Sequence, residues 1–249
     1  MQRQIPKVIH YCWFGGNPLP ELAIKCIASW KKHLPDYEIK EWNESNFDVY
    51  RVVYTTEAYR LKKYAFVSDY ARFWILYNYG GIYFDTDVEV IQSMDDILSK
   101  GTFAGFECQE GKPLDNPNGT MNPGLGIGVW KGHPFFKIIL DFYDHDHFVG
   151  WDGKNTGVVP FRVTRFLDYN HKEVLPDGSV KVSDLRIYPI DYFCPLNYFT
   201  SEMNITKNTR TIHHYMASWV KKRNRLQNLI ERIKFIYVRI LCMVKNDTS

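Results

Sequence analysis

Two aspartates separated by one residue, Asp85 and Asp87, are the clearest candidates for chemistry in this sequence. They follow residues 82–84, an apolar segment that predicts a β-strand. In an extended backbone, side chains two positions apart point the same way, so both carboxylates can face one point. Adjacent carboxylates repel each other unless a cation lies between them, and hard divalent ions often bind phosphate as well. The pair therefore predicts a site for a divalent cation and a diphosphate, the alternative being a solvated acidic turn.

A second candidate is a charged pair inside residues 64–79, an almost entirely apolar segment that predicts a buried helix. Charges in a buried helix are costly unless they are paired. Asp69 and Arg72 are three positions apart, so they share one face of the helix and can form an ion pair. The pair is either purely structural or open to a polar ligand, and the residues alone leave both interpretations open.

Two consecutive histidines, His213 and His214, form a third candidate site. They fall in residues 209–215, which predict the last strand of the main body. Neighbouring side chains of a strand point to opposite faces, so only one imidazole can reach the aspartate pair. Imidazole is an acceptable ligand for manganese, and one histidine could therefore complete the metal site.

The hydrophobic pattern predicts the elements that must position these residues. Strands are predicted over residues 7–14, 37–42, 82–84 and 127–130, and helices over residues 22–34, 64–79 and 135–143. The early alternation predicts a parallel sheet covered by helices, which binds ligands at the carboxyl ends of its strands. Trp13 and Asp85 fall at two such ends, so we expect them at the same edge.

Smaller features complete the prediction for the main body. Ser93 and Asp96 have the spacing of a capping box for a short helix, and Asp177 with Gly178 predicts a hairpin turn. Residues 109–124 are polar and rich in Gly, Pro and Asn. A loop of this length inside a compact domain is often functional.

Composition limits the class of protein. The 249 residues, 45% of them apolar, are enough for one large α/β domain or one domain with an appendage. The net charge is +3, but residues 221–245 contain eight Lys or Arg and only one Glu, so the main body has no basic surface suited to nucleic acid. Five widely spaced cysteines predict reduced thiols, and the sequence shows neither a signal peptide nor a membrane span, which predicts a cytoplasmic protein.

The basic C-terminal segment predicts a separate role. Apolar residues recur at helical spacing between Leu226 and Val244, with Lys and Arg beside them. A basic amphipathic helix of this kind can lie on an anionic membrane surface, while the alternative is a terminal helix that packs on the main body. We therefore expect a catalytic domain over residues 1–220 and an amphipathic helix and tail over residues 221–249, peripheral on the inner face of the membrane.

Three motifs in the correct order carry a family resemblance: IHYCWFGG at 9–16, SDYARFWILYNYGGIYFDTD at 68–87, and HHYMASW at 213–219. Together they resemble the family 32 glycosyltransferases, which are DxD-containing sugar transferases, and the catalytic domains of the large glucosylating toxins. The resemblance implies a GT-A fold with a Rossmann-like mixed sheet and helices on both faces. It also implies a nucleotide-diphosphate sugar donor, with a UDP-sugar favoured over a GDP-sugar, and Mn²⁺ or Mg²⁺ as cofactor. The anomeric configuration would be retained, and the acceptor would be a glycan carried on a membrane lipid, as in bacterial surface polysaccharide synthesis.

The resemblance also assigns roles to individual residues. The implied donor-binding residues are Trp13, Asp69, Arg72, Tyr83, Asp85, Ser218 and Trp219. Trp13 would stack on the base, Asp69 and Arg72 would hold the donor sugar and phosphate, and the loop with Ser218 and Trp219 would close over the diphosphate.

For the metal, the resemblance implies Asp85 and Asp87, with His214 aligned as the third ligand. Asp69, Arg72, Asp85 and Asp87 would form the catalytic set. Asn122 falls near a polar position on the acceptor side.

Two other classes of protein are compatible with parts of the sequence. FDTDVEV at 84–90 fits an aspartate-nucleophile phosphatase, in which Asp85 would be phosphorylated and Asp87 would act as acid and base. That motif usually opens the first strand of its domain, whereas here about eighty residues precede it. A non-catalytic sugar-binding protein is the other alternative, and the intact aspartate pair argues against it.

Overall fold

The computed structural model describes residues 4–107, 119–216 and 225–246. The strands are β1 Val8–Cys12, β2 Glu38–Trp42, β3 Gly81–Tyr83, β4 Val88–Val90, β5 Phe103–Glu107, β6 Thr120–Met121, β7 Ile127–Val129, β8 Glu173–Val174, β9 Val180–Val182, β10 Leu185–Tyr188 and β11 Thr211–His213. The helices are α1 Glu21–His33, α2 Val53–Arg60, α3 Tyr64–Tyr79, α4 Asp95–Leu98, α5 Pro134–Asp144, α6 Val159–Thr164, α7 Ile190–Phe193 and α8 Arg225–Asn246, with a 3₁₀ turn at Tyr169–His171.

Within the described ranges, the main sheet has nine strands in the order β2-β1-β3-β7-β5-β10-β9-β8, with β6 paired to β5. Strands β1, β2 and β3 are mutually parallel, while β7 is antiparallel to both β3 and β5. Because two antiparallel steps restore the direction, β5 runs the same way as β1 and β3. The predicted mixed α/β sheet with helices packed on it is therefore confirmed.

The central helix α3 is built as its composition predicts. Its buried residues lie on nearly every side, and they include Asp69 and Arg72. The helix ends at Gly80, and β3 begins immediately at Gly81. Gly81 has φ +100, and a Cβ there would lie 2.6 Å from the carbonyl oxygen of Val8, so this close approach to β1 requires glycine. The tight connection places β3 directly beside β1.

Helix α1 and the small sheet hold the segment after the aspartate pair. Strand β4 pairs antiparallel with β11, with Val88 opposite His213. The buried indole of Trp30 in α1 donates a hydrogen bond to the carbonyl of Val88 at 2.7 Å. The chain leaving Asp87 is thereby fixed from two sides.

Several local predictions differ from the structure. Helix α4 begins at Asp95 with Met94 as its N-cap. Ser93 Oγ accepts the N–H of Asp95 at 3.2 Å and Asp96 pairs with Arg210, so the predicted capping box of Ser93 with Asp96 is wrong. Helix α2 was not predicted, because its mixed sequence lacks a clear apolar period and its N-cap, Val52, provides no signal. The hairpin turn at Gly178, with φ +78 between β8 and β9, is confirmed.

The C-terminal helix α8 packs on the main body. Phe235 belongs to the same hydrophobic core as the sheet, and Val238, Arg239 and Cys242 are also buried. Lys63 forms an ion pair with Glu231 at 2.8 Å. No helix among the described residues has the length and apolar character that a membrane span requires.

Candidate functional site

A cavity of about 1300 Å³ opens at the carboxyl ends of the parallel strands. Trp13 follows β1, Asp85 follows β3 and Glu107 ends β5, and all three line the cavity. The expectation that Trp13 and Asp85 share one edge of the sheet is confirmed. Carboxyl ends of parallel strands meet at one edge, which explains why residues far apart in sequence converge here.

A group of three possible metal ligands lies in this cavity. Ligand atoms of Asp85, Asp87 and His213 are all within 4.8 Å of one another. Asp87 and His213 are buried, and the His213 Nε2 lies 3.2 Å from Asp87 Oδ1. Among the described residues, the buried His213 Nδ1 has no hydrogen-bond partner. Two carboxylates suit manganese or magnesium, and the imidazole is acceptable to manganese, so the residues present fit a divalent cation.

The electrostatics of this group reflect the close contact of Asp87 with His213. Burial on its own would raise the pKa of Asp87, but the His213 imidazolium and the N–H of Met216 hold it at about 2. Burial would lower the pKa of His213, but the Asp87 carboxylate raises it to about 9. The Met216 N–H donates to Asp87 Oδ2 at 2.8 Å, which fixes the carboxylate in place. The imidazolium thus pairs with the Asp87 carboxylate, and His213 would have to give up its proton to coordinate a cation, because imidazole binds metals in its neutral form.

Asp69 and Arg72 form an ion pair that continues to the aspartate pair. Arg72 Nη2 lies 2.8 Å from Asp69 Oδ1 and 3.3 Å from Asp85 Oδ1. The guanidinium also stacks over the Tyr83 ring at 4.9 Å, and the Tyr83 hydroxyl donates to Asp85 at 3.1 Å. Burial raises the pKa of Asp69 to about 7, with Arg72 acting in the opposite direction. All of these groups except Tyr83 line the cavity, so the pair is open to a ligand as well as structural.

Trp13 is partly buried, packs against the hydrophobic core and lines the cavity. Its indole N–H donates to the carbonyl of Asn17 at 2.6 Å. The ring is therefore held at the cavity wall, where it can contact a flat ligand.

Asn122 and Glu107 form a polar patch on another wall. The Asn122 amide nitrogen donates to Glu107 Oε2 at 2.8 Å. Burial raises the pKa of Glu107 to about 7, although the bond from Asn122 lowers it. Glu107 was missed by sequence reasoning, because strand β5 was not predicted and its direction follows from long-range pairing with β7 and β10. Its position at a strand end, before the polar loop, was the available signal.

The remaining predicted residues lie elsewhere. The His214 Nε2 is 2.8 Å from Glu89 Oε2 and does not join the group of Asp85 and Asp87. The structure therefore differs from the alignment that made His214 the third ligand. In strand β11 and its continuation, side chains alternate, and it is His213 that faces the cavity. Ser218 and Trp219 lie outside the described residues.

Residues 20–104 match a family model described as a glycosyltransferase sugar-binding region containing a DXD motif. Inositol phosphoceramide mannosyltransferase 1 from Schizosaccharomyces pombe is 32% identical over 201 residues, covering 74% of this chain and 57% of that protein. Mannosyl phosphorylinositol ceramide synthase CSH1 from Saccharomyces cerevisiae is 27% identical over 145 residues, covering 57% of this chain and 36% of that protein. The chain thus spans roughly a third to a little over half of these curated relatives.

Two solved structures are also similar. The PaToxG glycosyltransferase has 21% sequence identity and a TM-score of 0.46, covering 65% of this chain and 68% of that chain. A glycosyltransferase involved in the glycosylation of the major capsid of PBCV-1 has 12% identity and a TM-score of 0.48, covering 92% of this chain and 99% of that chain.

The matched region contains Asp85-Thr86-Asp87 as its DXD motif, at the carboxyl end of β3 in the mixed sheet described above. The similarity to the first of the yeast proteins extends well beyond that region, over 201 residues. By these similarities the chain resembles the family 32 glycosyltransferases, with its DXD motif at the carboxyl end of a strand in a mixed α/β sheet.

Proposed function

We propose that this protein is a metal-dependent, retaining glycosyltransferase that moves a sugar from a nucleotide-diphosphate donor to a glycan acceptor. The observation that carries the proposal is the convergence of two groups in one cavity. Asp85, Asp87 and His213 lie within 4.8 Å of one another, and Arg72 lies 3.3 Å from Asp85. A cation site beside a buried guanidinium is suited to a diphosphate, because both offset the negative charge of a leaving phosphate.

The chain's own residues would divide the work as follows. Asp85, Asp87 and His213 would hold Mn²⁺ or Mg²⁺, which supplies charge stabilisation to the diphosphate when bound. Arg72 donates hydrogen bonds to phosphate oxygens, Asp69 fixes Arg72 and accepts from the donor sugar, and Trp13 stacks on the base. Each of these side chains is anchored by a contact in the protein, so little reorganisation is needed on binding.

Retention of configuration follows from the family resemblance. The acceptor would attack from the face that the diphosphate leaves, with bond breaking ahead of bond making, so no protein nucleophile is required. A UDP-sugar is the favoured donor. Because the Schizosaccharomyces pombe relative is named a mannosyltransferase, a mannosyl donor belongs in any test.

The test of this proposal is a panel of UDP- and GDP-sugars, scored by released nucleotide. We expect one sugar nucleotide to be hydrolysed in Mn²⁺ or Mg²⁺, with activity lost in chelator and restored by added metal. No nucleotide release from any donor would contradict the proposal. Covalent phosphate on Asp85 after incubation with a phosphomonoester would indicate an aspartate-nucleophile phosphatase instead.

The acceptor side of the proposal rests on α8. Residues 1–220 would form the catalytic domain and residues 221–249 an appended helix and tail, whose described part also forms a wall of the cavity through Ile230, Lys234 and Phe235. Away from this wall, α8 exposes Leu229, Ile233, Ile236, Tyr237, Ile240, Leu241 and Met243. We propose that this face lies on an anionic membrane at the inner surface, next to a lipid-linked glycan acceptor of surface polysaccharide synthesis.

Substitutions on α8 test the membrane proposal without removing the buried half of the helix. Ile233 and Tyr237 are each 61% exposed, so replacing both with serine should leave the fold intact. We expect the native chain to co-sediment with phosphatidylserine vesicles in a salt-sensitive way, and the double variant to bind at least about tenfold more weakly. The matched control is Ile138→Ser, which removes an exposed isoleucine from α5. Equal binding by all three proteins, or no binding by the native chain, would contradict the proposal.

A further inference from the structure

Glu107 is a carboxyl group in the cavity that the proposed function leaves without a role. It is the last residue of β5, so it lies at the same sheet edge as Trp13 and Asp85. Its side chain is mostly shielded from solvent but still lines the cavity. Buried carboxyl groups are costly to keep unless they have partners, so a wall position of this kind calls for an explanation.

Among the described residues, Asn122 is the hydrogen-bond partner of the Glu107 carboxyl. Both the nitrogen and the oxygen of the Asn122 side-chain amide form hydrogen bonds. Asn122 Nδ2 donates to Glu107 Oε2 at 2.8 Å, while Asn122 Oδ1 accepts from the N–H of Gly124 at 2.8 Å. The backbone N–H of Asn122 is separately bound to the carbonyl of Gly105 at 3.1 Å. Loss of Glu107 would therefore leave Asn122 Nδ2 without this acceptor, while Oδ1 stays bound to Gly124 and the backbone to Gly105.

The same turn touches the DXD motif. The N–H of Asp85 donates to the carbonyl of Gly124 at 3.1 Å. A Cβ at Gly124 would collide with Asp85 Oδ2, so a larger residue there would displace this carboxylate. A continuous set of contacts thus links Glu107 through Asn122 and Gly124 to Asp85. Glu107 is held at a fixed position relative to the proposed donor site.

The chemistry of a fixed carboxyl group suits sugar hydroxyls. A carboxylate has about four acceptor positions, and Asn122 occupies one of them. A carboxyl group can bind hydroxyls in either protonation state, and the hydrogen bonds to its ionised form are the stronger ones. A site built to bind a hydroxyl also rejects analogues that lack it or present it in another direction, because its polar group is then left unpaired.

We propose that Glu107 is a sugar-recognition residue, whose carboxyl binds a hydroxyl of the transferred sugar while Asn122 fixes its orientation. This inference rests on the proposed function and adds a determinant of which sugar is accepted. Asp69 and Arg72 hold the donor from the α3 side of the cavity, and Glu107 reads the sugar from the β5 side. The nucleotide itself is bound by other residues and does not require Glu107.

The experiment compares Glu107→Ala and Glu107→Gln with the native chain on the same sugar-nucleotide panel. For the preferred donor, we expect Glu107→Ala to lower kcat/KM at least about tenfold, as for one lost charge-assisted hydrogen bond. The ratio of kcat/KM between the preferred donor and its epimers should fall as well. Glu107→Gln keeps an acceptor oxygen for Asn122 and should lose less. The affinity for the free nucleotide with Mn²⁺ should change by less than about twofold in both variants.

Controls separate this role from a structural one. Glu173→Gln replaces an exposed glutamate of β8 and should behave as the native chain. Parallel loss of nucleotide affinity and thermal stability in Glu107→Ala and Glu107→Gln would show that Glu107 only supports the fold. Unchanged kcat/KM and unchanged sugar preference in Glu107→Ala would also overturn the inference. A native chain that hydrolyses no donor would instead overturn the proposed function.

Discussion

Replacement of Asp87 with asparagine is expected to lower donor turnover by about two to three orders of magnitude. Asp87 is a firmly held ligand of the proposed metal site. It is buried, lies 3.2 Å from His213 and accepts the N–H of Met216 at 2.8 Å. Asparagine has nearly the same volume and can keep the bond from Met216, but it removes the negative charge that a cation requires. Turnover is measured as released nucleotide at saturating Mn²⁺.

The two neighbouring histidines supply matched controls for this experiment. His213→Ala removes a residue of the ligand group and should weaken the activating effect of Mn²⁺, shown as a higher metal concentration for half activity. His214→Ala removes a side chain bound to Glu89 and should leave that concentration unchanged. If Asp87→Asn keeps full activity, or the native chain is fully active in chelator, the aspartates do not hold a required metal. If His214→Ala raises the Mn²⁺ concentration for half activity and His213→Ala does not, His214 is the metal ligand and His213 is not.

The parts of the site that the sequence predicted are those determined by local pattern. Helix α3 has the predicted bounds, because its apolar run and the following glycines mark both ends. The position of Asp85 and Asp87 followed from a strand directly before them. The shared edge of Trp13 and Asp85 followed from two parallel strands joined by helices.

The parts that could not be predicted depend on long-range pairing. Choosing between His213 and His214 required the register of β11 on β4, where His213 lies opposite Val88. Glu107 required the direction of β5, which is set by antiparallel pairing with β7. The tail illustrates a different limit, because one amphipathic pattern describes both a helix on a membrane and a helix on the protein. Here α8 buries Phe235 and exposes Ile233, so one apolar face of the helix contacts the protein and another faces solvent.

Replacement of Arg72 with lysine is expected to lower turnover about a hundredfold while the protein remains folded. The guanidinium contacts Asp69 at 2.8 Å and Asp85 at 3.3 Å, donates to the carbonyl of Ser68 and stacks over Tyr83. Lysine keeps the positive charge, so neither aspartate is left beside an uncharged residue. It cannot reproduce the planar fork that joins two carboxylates and a phosphate at once, because its ammonium is a single point charge.

The matched control is Arg162→Lys, because Arg162 is another buried arginine that does not line the cavity. It pairs with Asp146 and stacks on Tyr54 and Tyr143, so its contacts are those of a structural residue. We expect Arg162→Lys to lower the melting temperature with little change in turnover per folded molecule. We expect Arg72→Lys to lower turnover per folded molecule with little change in the melting temperature. Breaking a buried pair outright costs about 3–5 kcal/mol, so Arg72→Ala is the less informative variant. A large fall in melting temperature for Arg72→Lys, with unchanged turnover per folded molecule, would make the pair with Asp69 purely structural.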